Sequence, residues 1–292
     1  MKMSAELRAR ILVAAVGIPL ALLLIHLGDW YLGALLIAAA ALGANEFYAL
    51  ASAGEARPVR WLGIPAAAML VLLAVHDPVF AGWSARGLAL VMTLVLLTAC
   101  AVVFCRRIEE DPLLSASATV LGALYTGGTL SFAVLLRSVP EVAGTIPVNR
   151  WEGTLLVLLP LAVTWAGDTA AFFVGRSIGK TRLAPRASPG KTVEGGIGGL
   201  AASTAAGVAA GFVLDGFGTF HVTPVTGGVI GLVLGAAAQV GDLAESVLKR
   251  EAGVKDSGAL LPGHGGVLDR LDSLYFTLPL AYGLLCLTRY LP

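Results

Sequence analysis

The sequence predicts an all-α membrane protein: a polytopic helix bundle of about nine transmembrane helices, with a cytoplasmic N-terminus and the C-terminus outside. Hydrophobic residues make up 57% of the 292 residues and charged residues only 13%, with a mean hydropathy of +0.83. This composition is too apolar for a soluble globular domain. Two further observations support the fold class: windows without Asp, Glu, Lys or Arg recur along the chain, and basic residues are distributed unevenly between the loops.

The charge-free windows define the expected spans, because crossing the hydrocarbon takes about 20 mostly apolar helical residues. In chain order they are Ile11–Gly28, Trp30–Asn45 continuing past Glu46, Trp61–His76, Gly87–Cys105, a stretch within Pro112–Leu136, Gly153–Gly167 continuing past Asp168, Gly195–Leu214, a stretch within Gly216–Gly241, and Ser273–Thr288. The first window leads directly into another apolar run, which indicates an uncleaved anchor rather than a signal peptide.

The basic residues test the orientation independently, because short cytoplasmic loops are enriched in Lys and Arg. With the N-terminus inside, all but four of the 20 Lys and Arg fall in inner segments; the exceptions are Arg86, Arg137, Arg150 and Arg289. The net charge of +1 conceals this bias and gives no indication of a nucleic-acid partner. Since no polar linker interrupts the chain, we expect a single membrane domain over residues 1–292, with scaffold helices in 1–150 and functional helices and cytoplasmic loops in 151–292.

A first polar cluster, Gly241–Ser273, lies between two apolar segments, where charge is costly unless it has a function. Four of its polar residues repeat at i, i+3, i+4 and i+7 and form one helical stripe: Asp242, Glu245, Ser246 and Lys249. Further on, Asp269 and Asp272 are three residues apart, so their carboxylates share a helix face and repel each other unless a metal joins them.

Three of these acids, Asp242, Asp269 and Asp272, offer an all-oxygen site for a hard divalent cation, with Mg²⁺ as the leading candidate. Whether a second cation joins it is left open. The alternative is that the acids form ion pairs at the membrane surface with the basic residues of the cluster, Arg250, Lys255 and Arg270.

The loop between these acids is rich in glycine, and glycine amides can approach a phosphate closely. Within it, His264 stands alone between glycines, which is more typical of a loop hydrogen-bonding residue than of a metal ligand or base. Outside the cluster, Glu46 is the only charge in the second apolar region. We expect it near the cytoplasmic end, where solvation would explain it, and assign it no catalytic role.

A second polar cluster, Trp165–Gly195, is equally unusual in a membrane protein. Asp168 interrupts an apolar run, so it should face a cavity or a cationic ligand. The following short loop carries a density of basic residues that suits a nucleoside triphosphate or an anionic lipid headgroup: Arg176, Lys180, Arg182, Arg186 and Lys191. The alternative is positive-inside bias alone. The turn Ser188–Thr192 is similar to a fragment of a phosphate loop, but it lacks the upstream glycine and strand of a Walker site.

Both clusters contain longer motifs. The first carries Ser246, Lys249, Arg250, Lys255, Asp256, Pro262, His264, Gly265, Gly266, Asp269, Arg270 and Asp272. The second carries Asp168-Thr169, Gly175-Arg176, Gly179-Lys180, Ser188-Pro189, Lys191-Thr192 and Glu194-Gly195. In this order they resemble the signatures of the membrane-bound phosphatidate cytidylyltransferases, or CDP-diglyceride synthases. Two positions depart from that pattern: Gly190, where a basic residue is common, and Phe172, where Tyr is often seen.

The resemblance implies that CTP and phosphatidate react to give CDP-diacylglycerol and pyrophosphate, in a homodimer in the cell inner membrane with the active site facing the cytoplasm. It implies that Mg²⁺ is held on the triphosphate by the three acids Asp242, Asp269 and Asp272. Four basic residues would neutralise phosphate oxygens: Lys249, Arg250, Lys255 and Arg270. The expected substrate-binding residues are Asp168, Arg176, Lys180, Ser188, Lys191, Thr192, Ser246, Asp256, His264, Gly265 and Gly266.

Two other functions stay open on the sequence. A CTP-dependent polyprenol or phytol kinase would have similar acidic sites but would transfer a γ-phosphoryl group to an alcohol. An ion-coupled secondary transporter would also carry intramembrane carboxylates and glycine-interrupted helices, but it predicts motifs paired between the two halves of the chain. Both polar clusters lie late in the chain, which argues against a transporter, and the full signature favours cytidylyl transfer over the kinase reaction.

Overall fold

The structure is a computed structural model that describes residues 5–105, 107, 110–142, 150–217, 222–258 and 265–288. The helices are α1 (Ala5–Leu27), α2 (Asp29–Ala53), α3 (Arg60–His76), α4 (Phe80–Cys105), α5 (Pro112–Ala123), α6 (Thr129–Val142), α7 (Arg150–Ile178), α8 (Val193–Leu214), α9 (Pro224–Glu251), α10 (Leu268–Leu271) and α11 (Leu274–Thr288). A π-helical turn, Leu124–Gly128, joins α5 to α6, and two short antiparallel strands, β1 (Arg182–Ala184) and β2 (Ser188–Thr192), precede α8. The described chain is thus almost entirely helical, which confirms the predicted fold class.

In the part of the chain that the structure describes, each of the nine predicted windows overlaps an apolar helical segment. Within the described residues, seven helices are long and apolar enough to cross a membrane, and two shorter apolar stretches accompany them: Ala15–Leu27 within α1, and α3. Large apolar side chains are strongly exposed on α4, with Leu96 at 67% and Phe104 at 84%, as expected for a surface in contact with lipid rather than water. The chain is a multi-pass membrane protein, and the orientation of its termini stays a prediction.

The chain divides into two compact units. The first unit comprises Met1–Ser138 and Leu248–Leu271, and the second comprises Val139–Val247 and Asp272–Pro292. The first polar cluster therefore contributes residues to both units, and helix α9 runs from the second unit into the first. The prediction that residues 1–150 serve mainly as scaffold stays a prediction.

The first unit is organised around the buried Tyr48 on α2. The Tyr48 hydroxyl donates to the Thr119 carbonyl oxygen at 2.7 Å, and the Thr119 hydroxyl accepts from the Val59 amide at 2.8 Å. Buried polar groups need such partners, because an unpaired hydroxyl in an apolar interior is costly. These bonds connect α2, α5 and the segment that precedes α3.

Arg137 on α6 is a second organising residue of the first unit and is only 3% exposed. Its Nε donates to the Ile25 carbonyl oxygen and its Nη2 to the His26 carbonyl oxygen, both at 2.9 Å. The last carbonyls of a helix lack intrahelical donors, so the guanidinium caps the C-terminal end of α1. Gly28, which follows α1 with φ of 68°, lies directly against this guanidinium.

The second unit depends on close helix packing. A Cβ on either Gly207 of α8 or Gly227 of α9 would overlap the carbonyl oxygen of the other, so these helices approach with backbone against backbone. On α8, the Ser203 hydroxyl donates to the Val163 carbonyl oxygen of α7 at 3.0 Å. Small residues thus allow α8 to pack closely against both α7 and α9.

Candidate functional site

Asp242 lies at the centre of a charged group in the second unit. The Lys191 ammonium lies 2.6 Å from Asp242 Oδ2, and both side chains are about a third exposed or less. Asp168 interacts electrostatically with both residues. The Ser246 hydroxyl lies 3.5 Å from Asp242 Oδ1. The structure thus joins the two polar clusters, because Lys191 comes from the basic hairpin and Asp242 from the helical stripe.

The basic segment predicted as a loop begins in the last turn of α7, which carries Arg176, and continues into the β1–β2 hairpin. Arg176, Lys180, Arg182 and Arg186 are exposed, while Lys191 is half-buried. The Thr192 hydroxyl caps α8 by accepting from the Gly195 amide at 3.1 Å. Ser188 is the first residue of β2, and Thr192 is its last. Because these cations are exposed, the free protein bears no cost of removing them from water. They are therefore available to bind a polyanion.

Glu194 braces this hairpin, although the sequence assigned it no site role of its own. Its carboxylate accepts from the backbone amides of Lys180 at 3.0 Å and Thr181 at 3.2 Å, and from the Thr181 hydroxyl at 3.0 Å. An acidic residue in the first turn of a helix, two residues after the capping Thr192, was the available signal. The contact itself depends on the folded loop.

Asp269 organises the loop that precedes α10 in the first unit. Its Oδ1 lies 2.6 Å from the Lys249 ammonium, and the two side chains are 6% and 14% exposed. Its Oδ2 accepts three bonds of 2.9 Å, from the Ser257 amide, the Ser257 hydroxyl and the Gly266 amide. Gly265, with φ of 81°, also lies against this carboxylate, where a side chain would be strained. Asp269 is therefore both an ion-pair partner and the acceptor that folds the loop.

The surroundings of Glu46 differ from those that the sequence predicted. We expected a solvated side chain without a role, but Glu46 is only 8% exposed and accepts hydrogen bonds from the same loop as Asp269. The expectation was wrong because the loop that contains Ser257, 211 residues further along the chain, covers the carboxylate, and the Ser257 hydroxyl donates to it. A lone acid in an apolar helix was itself the signal, since such residues are costly without partners.

Asp272 begins the second-unit segment that leads into α11. Its Oδ1 accepts from the Ser273 amide at 2.6 Å, and the Ser273 hydroxyl donates to the Ala238 carbonyl oxygen of α9 at 3.2 Å. A Cβ on Gly241 would lie 2.8 Å from the Asp272 carbonyl oxygen. The backbone of Asp272 thus packs against the residue that precedes Asp242.

The remaining predicted residues lie mostly at the surface. Lys255, Asp256, Arg250 and Arg270 are exposed, and the Arg250 guanidinium donates to the Val254 carbonyl oxygen at 3.2 Å. His264 lies outside the described residues. The exposed basic residues are accessible to an anionic ligand, as the prediction requires.

The predicted cation site stays a prediction. Among the side chains that the structure describes, no group of three or more His, Cys, Asp or Glu could hold a metal ion. Mg²⁺, however, commonly takes one or two carboxylates and completes its octahedron with water and substrate phosphates. All three predicted acids already hold donors: Asp242 the Lys191 ammonium, Asp272 the Ser273 amide, and Asp269 the Lys249 ammonium and the Ser257 and Gly266 amides. Their carboxylate oxygens are nevertheless the ligand type that such a cation takes. The donor set fits a hard cation that arrives with a polyphosphate.

The fold is that of a multi-pass membrane protein, and its second unit presents exposed basic residues beside the Lys191–Asp242 ion pair. The chain belongs to the cytidylyltransferase family, whose model matches residues 8–288, and it is therefore a membrane-bound nucleotidyltransferase. It is 34% identical over 291 residues to the phosphatidate cytidylyltransferase of Synechocystis sp., covering 94% of each chain.

Two shorter matches have higher identity over part of the chain. The chain is 47% identical over 130 residues to the phosphatidate cytidylyltransferase of Brucella suis, covering 44% of this chain and 46% of that protein. It is 42% identical over 152 residues to the phosphatidate cytidylyltransferase of Haemophilus influenzae, covering 48% and 51% of the respective chains. These two matches span about half the length of each relative.

Proposed function

We propose that the protein transfers a cytidylyl group from CTP to phosphatidate, giving CDP-diacylglycerol and pyrophosphate. The observation that carries the proposal is the contact between Lys191 and Asp242. This contact joins the β1–β2 hairpin to Asp242 of the helical stripe within the second unit. Lys180 and the exposed arginines near the hairpin carry the charge that a triphosphate requires. The relatives in Synechocystis, Brucella suis and Haemophilus influenzae, which are named phosphatidate cytidylyltransferases, support this reaction.

The chemistry needs no protein nucleophile. A phosphatidate phosphate oxygen attacks the α-phosphorus of CTP, the new P–O bond forms, and the bond to the β-phosphate bridging oxygen breaks as pyrophosphate leaves. Catalysis of such a step consists of positioning and charge neutralisation. In the proposal, Lys191, Lys249 and the exposed arginines neutralise phosphate oxygens. Mg²⁺, held by Asp242 and Asp272 and, on the sequence signature, Asp269, supplies additional charge neutralisation on the triphosphate when bound.

The proposed location is the bacterial inner membrane, with the reacting groups facing the cytoplasm. CTP is a cytoplasmic, water-soluble substrate, whereas phosphatidate lies in the inner leaflet. The basic residues of both polar clusters fall on the side that the charge bias assigns to the cytoplasm. A homodimer, which the family resemblance implies, is part of the same proposal.

Labelled CTP tests the reaction directly. Purified protein in micelles containing phosphatidate and Mg²⁺ should move label from the cytidine moiety of CTP into the lipid fraction, while γ-phosphate label should leave as pyrophosphate. Entry of only the γ-label into lipid, with polyprenol as acceptor, would identify a kinase instead. Solute flux in proteoliposomes without CTP turnover would identify a transporter.

Gly190 offers a gain-of-affinity prediction. It is exposed on β2, and a Cβ added there meets nothing within 4 Å, so the backbone accepts a side chain. Gly190→Lys restores the basic residue common at this position in the family. We expect the KM for CTP to fall by about 1.4- to 5-fold, because one exposed ion pair contributes about 0.2–1 kcal/mol.

The matched control is Gly190→Gln, which adds a side chain without charge. Steady-state kinetics at low and high salt separate the two effects, since a charge contribution weakens with ionic strength. An equal fall in KM for the Gln variant would contradict an electrostatic contact.

A further inference from the structure

We propose that Glu46 is a positioning residue for the transfer reaction: it holds the loop that carries Asp269 and Arg270 in its reactive shape. The inference rests on the proposed function, since it assigns a role within that reaction. Glu46 lies on α2, in the half of the chain that the sequence predicts to be scaffold, and none of the signature motifs includes it.

The contacts of Glu46 reach three points of the loop. Its Oε1 accepts from the Val267 amide at 3.0 Å, and its Oε2 accepts from the Leu268 amide at 2.8 Å and the Ser257 hydroxyl at 3.1 Å. The first amides of a helix lack intrahelical acceptors, so Glu46 supplies from α2 the acceptor that the start of α10 lacks. Asp269 and Arg270 lie on that same short helix.

The loop is shaped to close over this carboxylate. A Cβ on Gly266 would overlap both Glu46 Oε2 and Ser257 Oγ, and a Cβ on Gly258 would lie 2.7 Å from Glu46 Oε1. Glu46 is accordingly only 8% exposed. Gly266 belongs to the signature. Because it has no side chain, the loop backbone can lie directly against the Glu46 carboxylate at this position.

Ser257 couples Glu46 to Asp269. Its hydroxyl oxygen lies 3.1 Å from Glu46 Oε2 and 2.9 Å from Asp269 Oδ2. A serine hydroxyl carries one hydrogen, so it donates fully to one carboxylate at a time. Through Ser257, a change at Glu46 alters the surroundings of Asp269 and of Lys249, its ion-pair partner.

Glu46→Gln is the decisive variant, because it keeps the size of the side chain but replaces one acceptor oxygen with an NH₂ donor. Whichever way the amide turns, its NH₂ group faces at least one of the three donors of the loop. We expect kcat for cytidylyl transfer to fall about 10- to 100-fold, as is typical when reacting groups are displaced by about 1 Å. The KM for CTP should change less than about 3-fold, because the exposed cations of the hairpin are untouched. Glu46→Asp, which keeps both oxygens, should recover part of the lost kcat.

The matched control is Glu55→Gln, an exposed acid in the turn that follows α2, and it should behave as wild type. A Glu46→Gln protein with a lowered unfolding midpoint but full kcat per folded molecule would show a purely structural residue and overturn the proposal. If Glu46→Gln does not fold, Ser257→Ala takes its place: it removes the shared hydroxyl and should lower kcat about 3- to 10-fold, and an unchanged kcat would overturn the coupling.

Hydrogen exchange separates this inference from the reaction on which it rests. In Glu46→Gln, the Val267 and Leu268 amides should exchange about tenfold faster or more than in wild type, whatever substrate the protein uses. Unchanged exchange would overturn the role of Glu46 even if wild type makes CDP-diacylglycerol. Faster exchange together with a wild type that does not transfer the cytidylyl label would instead overturn the proposed function and, with it, the assigned role.

Discussion

Replacement of Asp242 by Asn should lower kcat for CDP-diacylglycerol formation by at least about 100-fold, a loss typical of removing one preorganised electrostatic group from a reaction centre. Asp242 holds the Lys191 ammonium at 2.6 Å, so the Asn variant frees a cation from its partner and removes a ligand proposed for Mg²⁺. The measurement is steady-state transfer of cytidine label as a function of Mg²⁺ concentration. The Mg²⁺ concentration for half-maximal rate should rise in the variant.

The matched control is Asp215→Asn, an exposed acid at the C-terminal end of α8. It carries the same chemical change on a neighbouring helix and should leave both the rate and the Mg²⁺ dependence as in wild type. If Asp242→Asn kept more than a third of the wild-type rate, Asp242 would lose its place in the reaction.

Asp269→Asn should be the most damaging single change in the first unit, in both stability and rate. Either orientation of the new amide places an NH₂ group against a donor: the Lys249 ammonium or the three donors at Oδ2. Breaking one side of a buried ion pair costs about 3–5 kcal/mol. The thermal unfolding midpoint in detergent should therefore fall clearly, and the transfer rate should fall at least about 100-fold.

The double variant Lys249→Met/Asp269→Asn separates the two effects. With the ammonium removed, the Asn oxygen can keep the Ser257 and Gly266 amides while its NH₂ group faces Met, so the unfolding midpoint should recover above that of Asp269→Asn. Its activity should stay low, because both charges are gone. Glu251→Gln, an exposed change on the same helix as Lys249, controls for a general loss of surface charge. Recovered activity in the double variant would assign the pair to folding alone.

The helices were predictable because the hydrocarbon core imposes their length and composition on the sequence. Each predicted window corresponds to an apolar helix, including α7, where Asp168 interrupts the apolar run. The two polar clusters were predictable for the same reason, since charge in such a setting needs an explanation. The pairing of Lys191 with Asp242 was not predicted, because the sequence offered Arg250, Lys255 and Arg270 of the same cluster as the alternative ion-pair partners.

The acceptors of backbone amides were not predictable from the sequence. Glu46 and Glu194 act through main-chain N–H groups, which every residue except proline carries, so their partners leave no side-chain pattern. The partners of Glu46 also lie more than 200 residues away in sequence, and only the folded loop brings them together. Local spacing therefore identified the acids of the signature but not the acid that supports them.

Arg137 changes how the charge asymmetry of the chain is counted. It was one of four basic residues assigned to the outer face, yet it lies inside α6 with its guanidinium bound to the carbonyls that end α1. The orientation rule concerns cations in short hydrophilic connections, which interact with the insertion machinery and the membrane potential. A cation enclosed between two helices belongs to neither face, so only three residues oppose the proposed orientation, and the bias that supports it is stronger than the sequence count indicates.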